Sequence, residues 1–262
     1  MDIVTVGFLV FGFLIMIISF ILEGGHITAL LAPTAAMIVF GGTVATVGVS
    51  FPASTLKKLP KIFGVLFKKH DGNLVKLIIY FKEVAYKTRK DGLLSLENDL
   101  SDNNMDPFIK KALQLIVDGT DPQVVKGVLE LDVEAASERH KEAASMFEAA
   151  GGFSPTMGII GTVMGLVHVL GSLEDPSSLG PKIAVAFIAT LYGVGFANLA
   201  WLPIAAKLKA LDNEEFKEKV LIMEAVLAIQ EGVNPNTISE KLKGFLDKQQ
   251  LIEFEKLDRV AG

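Results

Sequence analysis

FSPTMGIIGTVMGLV, residues 153–167, is the stretch whose reading decides what kind of protein this is. A proline opens the apolar helix it predicts, no charged residue interrupts it, and Gly158, Gly161 and Gly165 recur at helical spacing with Thr162 on the same face. In lipid no hydrophobic force draws two helices together, and a stripe of small residues that admits another backbone to close range marks a helix–helix seam instead. A hydroxyl on that stripe either meets a polar path or sits in a plain packing surface. This segment alone leaves both readings open.

The same charge-free character recurs elsewhere. Residues 3–22, 27–50, 156–173 and 183–206 contain no Asp, Glu, Lys or Arg, and each is near or above the roughly 20 residues that cross about 30 Å of hydrocarbon. The chain of 262 residues is 50% hydrophobic yet 21% charged, with a mean hydropathy of +0.45, so the apolar residues are concentrated in these blocks. Buried helices of a large soluble protein are the alternative, but so short a chain has too little left to cover four of them. The expected fold class is an all-α membrane protein, with four transmembrane helices and a helical cytoplasmic domain. The first segment lacks a basic start and a small-residue cleavage site before the next apolar block, so a retained anchor is expected rather than a signal peptide. Cysteine is absent, which removes disulfides, thiolate metal sites and Cys nucleophiles.

Basic residues set the orientation. Lys57, Lys58, Lys61, Lys68 and Lys69 follow the second block, and Lys207 and Lys209 follow the fourth. The short connections are EGGH at residues 23–26 and an acidic turn around Glu174, Asp175 and Lys182. Both long segments, and with them both termini, are expected on the cytoplasmic side. This divides the chain into a first helix pair (1–50), a cytoplasmic helical domain (51–155), a second helix pair (156–206) and cytoplasmic C-terminal helices (207–262).

In the cytoplasmic part, Leu59, Ile62, Phe63, Leu66 and Phe67 form an apolar stripe among lysines, which suits either an interfacial helix on anionic lipid or an ordinary core helix. Asp106-Pro107 and Asp121-Pro122 have the form of an N-cap followed by proline at the first helical position. Thr237 and Glu240 have capping-box spacing ahead of Leu242 and Leu246.

Chemistry is sparse. His26, His70, His140 and His168 are scattered, and neither a zinc-protease helix motif nor a phosphate-cradling glycine loop occurs. No enzyme activity, cofactor, metal or nucleic-acid partner is expected. His168, in the third span near its outer end, reads either as a proton relay or as a satisfied or solvated histidine. The more telling point is a missing group: ion-coupled membrane machines place a carboxylate at membrane depth, and these spans have none. If ions pass here, the titrating acid belongs to another polypeptide.

The 153–167 run, IATLYGVGFANLAWLPIA at 188–205 and TRKDGLLSLE at 88–97, in this order around four spans, resemble the MotA family of flagellar stator subunits, within the MotA/TolQ/ExbB proton channels. The resemblance covers all but about the last twenty residues. It implies a homo-oligomeric ring of five chains in the bacterial inner membrane, around two MotB chains whose transmembrane Asp binds the ion. The missing carboxylate then has an owner. By resemblance, the second helix pair lines the ion path, where Thr162 and Thr190 match threonines that face that Asp. Pro155 and Pro203 match the prolines that couple ion passage to shape change, and Arg89 and Glu97, on either side of Gly92, match the positions that engage the rotor protein FliG. Sodium-type members tend to carry a threonine just before the one matched by Thr190; Ala189 stands there, which favours protons.

The residues add their own reading. Thr190 shares a face with Ala186, Gly193 and Ala197, a second close-packing stripe. A proline in a helix interior interrupts the ladder and offers a hinge, whereas one at a helix terminus does not; the terminus reading fits Pro155 well and Pro203 less well. Two other classes remain: an ExbB- or TolQ-like energy-transducing subunit, which resembles this chain mainly in the last two spans, and a self-sufficient ion transporter, against which the absent charge at membrane depth argues.

Overall fold

A computed structural model describes residues 3–66, 72–102, 104–171 and 176–261. Helix is the only regular structure among them, and four stretches are long and apolar enough to cross a membrane: Ile3–Leu22, Ile27–Ser50, Pro122–Leu170 and Leu179–Gln230. The chain divides into two compact units, one of residues 1–69 and 140–210, the other of 70–139 and 211–262.

The first unit holds the apolar spans. Ile3–Leu22 buries none of its residues and exposes Phe8, Phe11, Leu14 and Ile15, an arrangement that lipid tolerates because its backbone groups are all paired within the helix. The second span is less regular than its hydropathy suggests. A single turn at Ile27–Leu30 leads to Pro33–Ala36, then a widened π turn at Met37–Gly41, then Gly42–Ser50. Pro33 has no N–H and so suits the first helical position, where that donor would be unpaired anyway.

The break before Pro33 is held by a distant residue. The Tyr192 hydroxyl donates to the Leu30 carbonyl and accepts from the Ala32 N–H at 3.3 Å, satisfying two backbone groups that no helix covers. The tyrosine ring packs near Phe40, which meets Phe196 edge-on at 4.6 Å, while Phe13 of the first span lies 4.9 Å from Phe196.

One face of Leu59–Leu66 packs inward. Ile62 and Leu66 are buried in the same unit with Ala144, Met146, Phe147 and Ala205, so this face of the helix belongs to the chain's own core. The side chains of Phe63 and Phe67, with Lys68, Lys69 and His70, fall outside the described residues, as do Glu174 and Asp175.

The second unit is a helical core around Ile78, Phe81, Leu96, Leu113, Leu129, Leu221 and Ile238, each at most 1% exposed. Burying side chains of this size contributes about 1.5–3 kcal/mol each. Side-chain caps start its helices: Asn73 accepts from the Lys76 N–H, Asp106 from Phe108 and Ile109, and Asp121 from Gln123. The capping-box expectation at Thr237 is corrected. Asn234 caps Pro235–Leu242 by accepting from the Asn236 N–H, with Pro235 at the first position, so Thr237 lies inside the helix. Asn-Pro gives the same cap-then-proline arrangement as the two Asp-Pro pairs, and the more familiar spacing masked it.

Candidate functional site

The third and fourth spans meet along their small residues. A Cβ added at Gly158 would lie 2.8 Å from the Ala189 carbonyl oxygen and 3.1 Å from Thr190 Cα, and one added at Gly193 would lie 2.5 Å from the Ser154 carbonyl oxygen and 3.1 Å from Gly158 Cα. Gly161 similarly faces Ala189 Cβ at 2.7 Å, and Gly165 faces Ala186 Cβ at 2.6 Å. Because several of these neighbours are backbone atoms, no side-chain rotation could make room. The glycines and alanines predicted as a packing stripe are therefore the seam itself.

Thr162 and Thr190 sit in the middle of that seam, each half-buried, with their Oγ1 atoms 2.5 Å apart. Thr162 Oγ1 also lies 2.9 Å from the Ala186 carbonyl and 3.1 Å from the Gly158 carbonyl. A hydroxyl has one proton to donate. Either hydroxyl can donate across the pair; with Thr190 donating to Thr162, Thr162 donates to a carbonyl and acceptor capacity is left on Thr190. The pair sequence reasoning placed on a common path is thus one hydrogen-bonded unit. Ala189, by contrast, is 1% exposed and packed against Gly161, so it shapes the seam rather than presenting a ligand.

The proline positions come together as well. Pro155 lies inside the helix Pro122–Leu170, which corrects the reading of it as a terminus. Its ring removes the N–H that would have reached the Gly151 carbonyl. Gly151 in turn faces the fourth span closely: a Cβ there would meet Leu202 Cδ2 at 2.5 Å and Trp201 Cβ at 3.6 Å. Those residues end a π turn at Ala197–Trp201, in which the Leu202 N–H reaches back to the Ala197 carbonyl, and Pro203 follows directly. Widened turns of this kind are frequent at functional sites. Two interruptions of the backbone ladder, far apart in sequence, therefore sit beside one another within the first unit.

Ser154 was not singled out by its sequence. It is fully buried, its carbonyl abuts Gly193, and its hydroxyl has no hydrogen-bond partner. His168 shares a cavity of about 350 Å³ with Thr34, Gly161, Lys182, Ala186 and Ala189, so its lining includes the chain neighbours of both threonines though neither threonine itself.

In the second unit, Arg89 lies in the last turn of Leu74–Asp91 and Glu97 follows the short turn Leu93–Leu96. Gly92 between them adopts φ +80°, a left-handed conformation that ends the helix, while its N–H caps the Thr88 carbonyl. Both charged side chains are exposed and neither forms an ion pair among the described residues. Their neighbour Lys87 is engaged with both oxygens of Asp99, at 2.8 and 2.7 Å. Burial, and after it the charges of Asp99 and Asp102, push the Tyr80 phenol above its ordinary value, so it remains a donor at neutral pH.

A membrane subunit built on a close glycine seam, with a hydroxyl pair and no acid of its own in the spans, is a class of channel component, and comparison with known proteins agrees. Residues 100–220 match the MotA/TolQ/ExbB proton channel family and residues 5–92 match the Motility protein A N-terminal family. Motility protein A of Borreliella burgdorferi is 41% identical over 213 residues, 80% of this chain and 82% of that one. Chemotaxis protein PomA of Vibrio alginolyticus is 38% identical over 248 residues, covering 95% and 96%. The flagellar MotAB stator complex from Bacillus subtilis contains a chain that superposes with a TM-score of 0.90 at 33% identity, covering 96% of this chain and 99% of that one. The chain belongs to the MotA family of flagellar stator subunits.

Proposed function

We propose that this chain is the ring-forming subunit of a proton-driven flagellar stator. It assembles in the bacterial inner membrane as a pentamer, with both termini cytoplasmic, around MotB, whose transmembrane Asp carries the ion. The observation that carries the reading is the Thr162–Thr190 pair: bridged hydroxyls at the centre of a glycine seam, in spans with no carboxylate, give a partner's acid a polar partner and a close surface. The match of residues 5–92 to the motility-specific N-terminal family supports the stator over an ExbB- or TolQ-like subunit. Lipid surrounds the exposed apolar spans, and Pro155 and Pro203 couple ion passage to bending.

Protons are favoured because Ala189 is buried and removes one oxygen from the site, and a sodium ion requires several where a proton needs a carboxylate and a route. Expressed with its partner in cells lacking their own stator, the chain is expected to restore swimming that persists without sodium and stops with a protonophore. Swimming speed that follows external sodium would overturn the choice of ion, and failure to restore torque with any matched partner would overturn the stator itself.

Arg89 and Glu97 are the rotor contacts in this reading. One ion crossing releases about 2.3 kcal/mol per 100 mV, so contacts renewed at every step must be exposed pairs of about 0–1 kcal/mol rather than buried ones costing about 3–5 kcal/mol to break. Arg89→Glu or Glu97→Lys is expected to lower torque while leaving expression and assembly unchanged. A complementary reversal on FliG is expected to recover part of it; double variants no better than either single one would exclude an electrostatic contact.

A further inference from the structure

The last helix of the chain, Lys248–Ala261, lies beyond both family matches, the later of which ends at residue 220, and neither the ion path nor the rotor contact draws a residue from it. It is nevertheless docked within the second unit. Helical periodicity turns Leu251, Phe254 and Asp258 to one face. Phe254 is 1% exposed and belongs to the same apolar core as Ile78, Phe81 and Ala85 of the helix Leu74–Asp91, with the Lys243 ammonium 5.0 Å from its ring centre.

The place of docking is informative. Lys82, Tyr86 and Arg89 stand at i, i+4 and i+7 of Leu74–Asp91 and so form one stripe along that helix. Its first two members are tied to the C-terminal part of the chain. The Lys82 ammonium donates to Asp258 Oδ1 at 2.5 Å, with side chains only 18% and 30% exposed, and the Tyr86 hydroxyl donates to Asn236 Oδ1 at 3.0 Å. Arg89, the third, is exposed and forms no ion pair among the described residues. It stands about 10 Å along the axis from Lys82, seven residues at about 1.5 Å each. Apolar packing holds a helix against its core but, being non-directional, sets its rotation weakly. Directional bonds along one stripe set it firmly. Lys87–Asp99 ties the helix to the turn after Glu97 and so fixes the two rotor charges relative to each other, whereas Lys82 and Tyr86 fix them relative to the rest of the unit.

We propose that the C-terminal segment is a brace for the rotor contact, with Asp258 and Asn236 as positioning residues that hold the Lys82–Tyr86–Arg89 stripe in the rotation that presents Arg89. The inference rests on the reading of Arg89 as a rotor contact and adds that residues remote from the contact set its strength.

Torque and ion flux are measured side by side, the first per stator unit from beads on flagella of cells lacking their own stator, the second from the complex with MotB in liposomes. Asp258→Lys, which sets a like charge against Lys82, is expected to lower stall torque by about twofold, the population change that a part-exposed ion pair supports, and to leave flux unchanged. Combining it with Lys82→Asp is expected to restore torque. In an Arg89→Gln background, Asp258→Lys is expected to lower the residual torque no further, because it acts through Arg89; a merely stabilising contact would lower torque in both backgrounds. Unaltered torque in Asp258→Lys, equal loss of torque and flux, or a full further loss in the Arg89→Gln background would overturn the proposal. If Asp258→Lys does not assemble, Asp258→Asn takes the same measurements. Torque lost with Arg89→Gln but not with Asp258→Lys would overturn the brace alone, whereas torque unaffected by Arg89→Gln would overturn the rotor reading and the brace with it.

Discussion

In liposomes with an imposed proton gradient, the purified chain alone is expected to carry no flux above the lipid background. The apolar segments 3–22, 27–50, 156–173 and 183–206 contain no Asp, Glu, Lys or Arg, so a proton finds no strongly titrating group in the hydrocarbon. The threonine pair does not compensate. Whichever hydroxyl donates across the pair, the other acceptors beside Thr162 are backbone carbonyls, which cannot release a proton onward, and a hydroxyl does not exchange protons readily near neutral pH. The complex with MotB is expected to conduct and to lose conduction when the partner's Asp becomes Asn. Robust flux through this chain alone would restore the self-sufficient transporter as the better reading, and His168, which shares a cavity with Lys182, would be the first residue to replace.

The second large effect is steric. Gly193→Val is expected to abolish motility and to lower the thermal stability of the complex in detergent. Even the first carbon of a side chain there would stand 2.5 Å from the Ser154 carbonyl oxygen, a backbone atom that can move only if the third and fourth spans separate. Overpacking costs about 1–3 kcal/mol for modest insertions, and Val adds two methyl groups to the clash that Ala would already create. Separation would also pull Thr190 from Thr162. Gly7→Ala, in the first span with nothing within 4 Å of the added carbon, is the matched control and is expected to be silent. A Gly193→Val complex that melts and swims like the unaltered protein would refute the close seam.

What could be read from the sequence depended on how local its cause was. The spans were legible because hydrocarbon imposes length and apolarity on consecutive residues, and the stripe of Gly158, Gly161 and Gly165 because helical periodicity places them on one face. The Asp-Pro caps are likewise settled within a few residues. The break in the second span was not legible, since its two backbone groups are satisfied by Tyr192 from the far end of the chain's apolar sequence. Nor could sequence show that Gly151, deprived of its hydrogen bond by Pro155, faces the residues just before Pro203. Pro155 resembles a helix start when read locally; the small residues Gly151 and Gly152 before it and packing against the fourth span allow the helix to continue. Helical periodicity puts each threonine on a small-residue face, but their 2.5 Å approach depends on the register between two helices.

The Tyr192 anchor also constrains which mechanical strokes this bundle can make. Sliding the fourth span along its own axis, piston-like, would withdraw the phenol from both the Leu30 carbonyl and the Ala32 N–H and strand two backbone groups at once, at about 1–3 kcal/mol each. That sum matches or exceeds the roughly 2.3 kcal/mol that one elementary charge gains in crossing 100 mV. A tilt pivoting near the tyrosine keeps both bonds while displacing the opposite end of the helix. Tyr192 therefore acts as a fulcrum, and the travel it permits grows with distance towards Pro203.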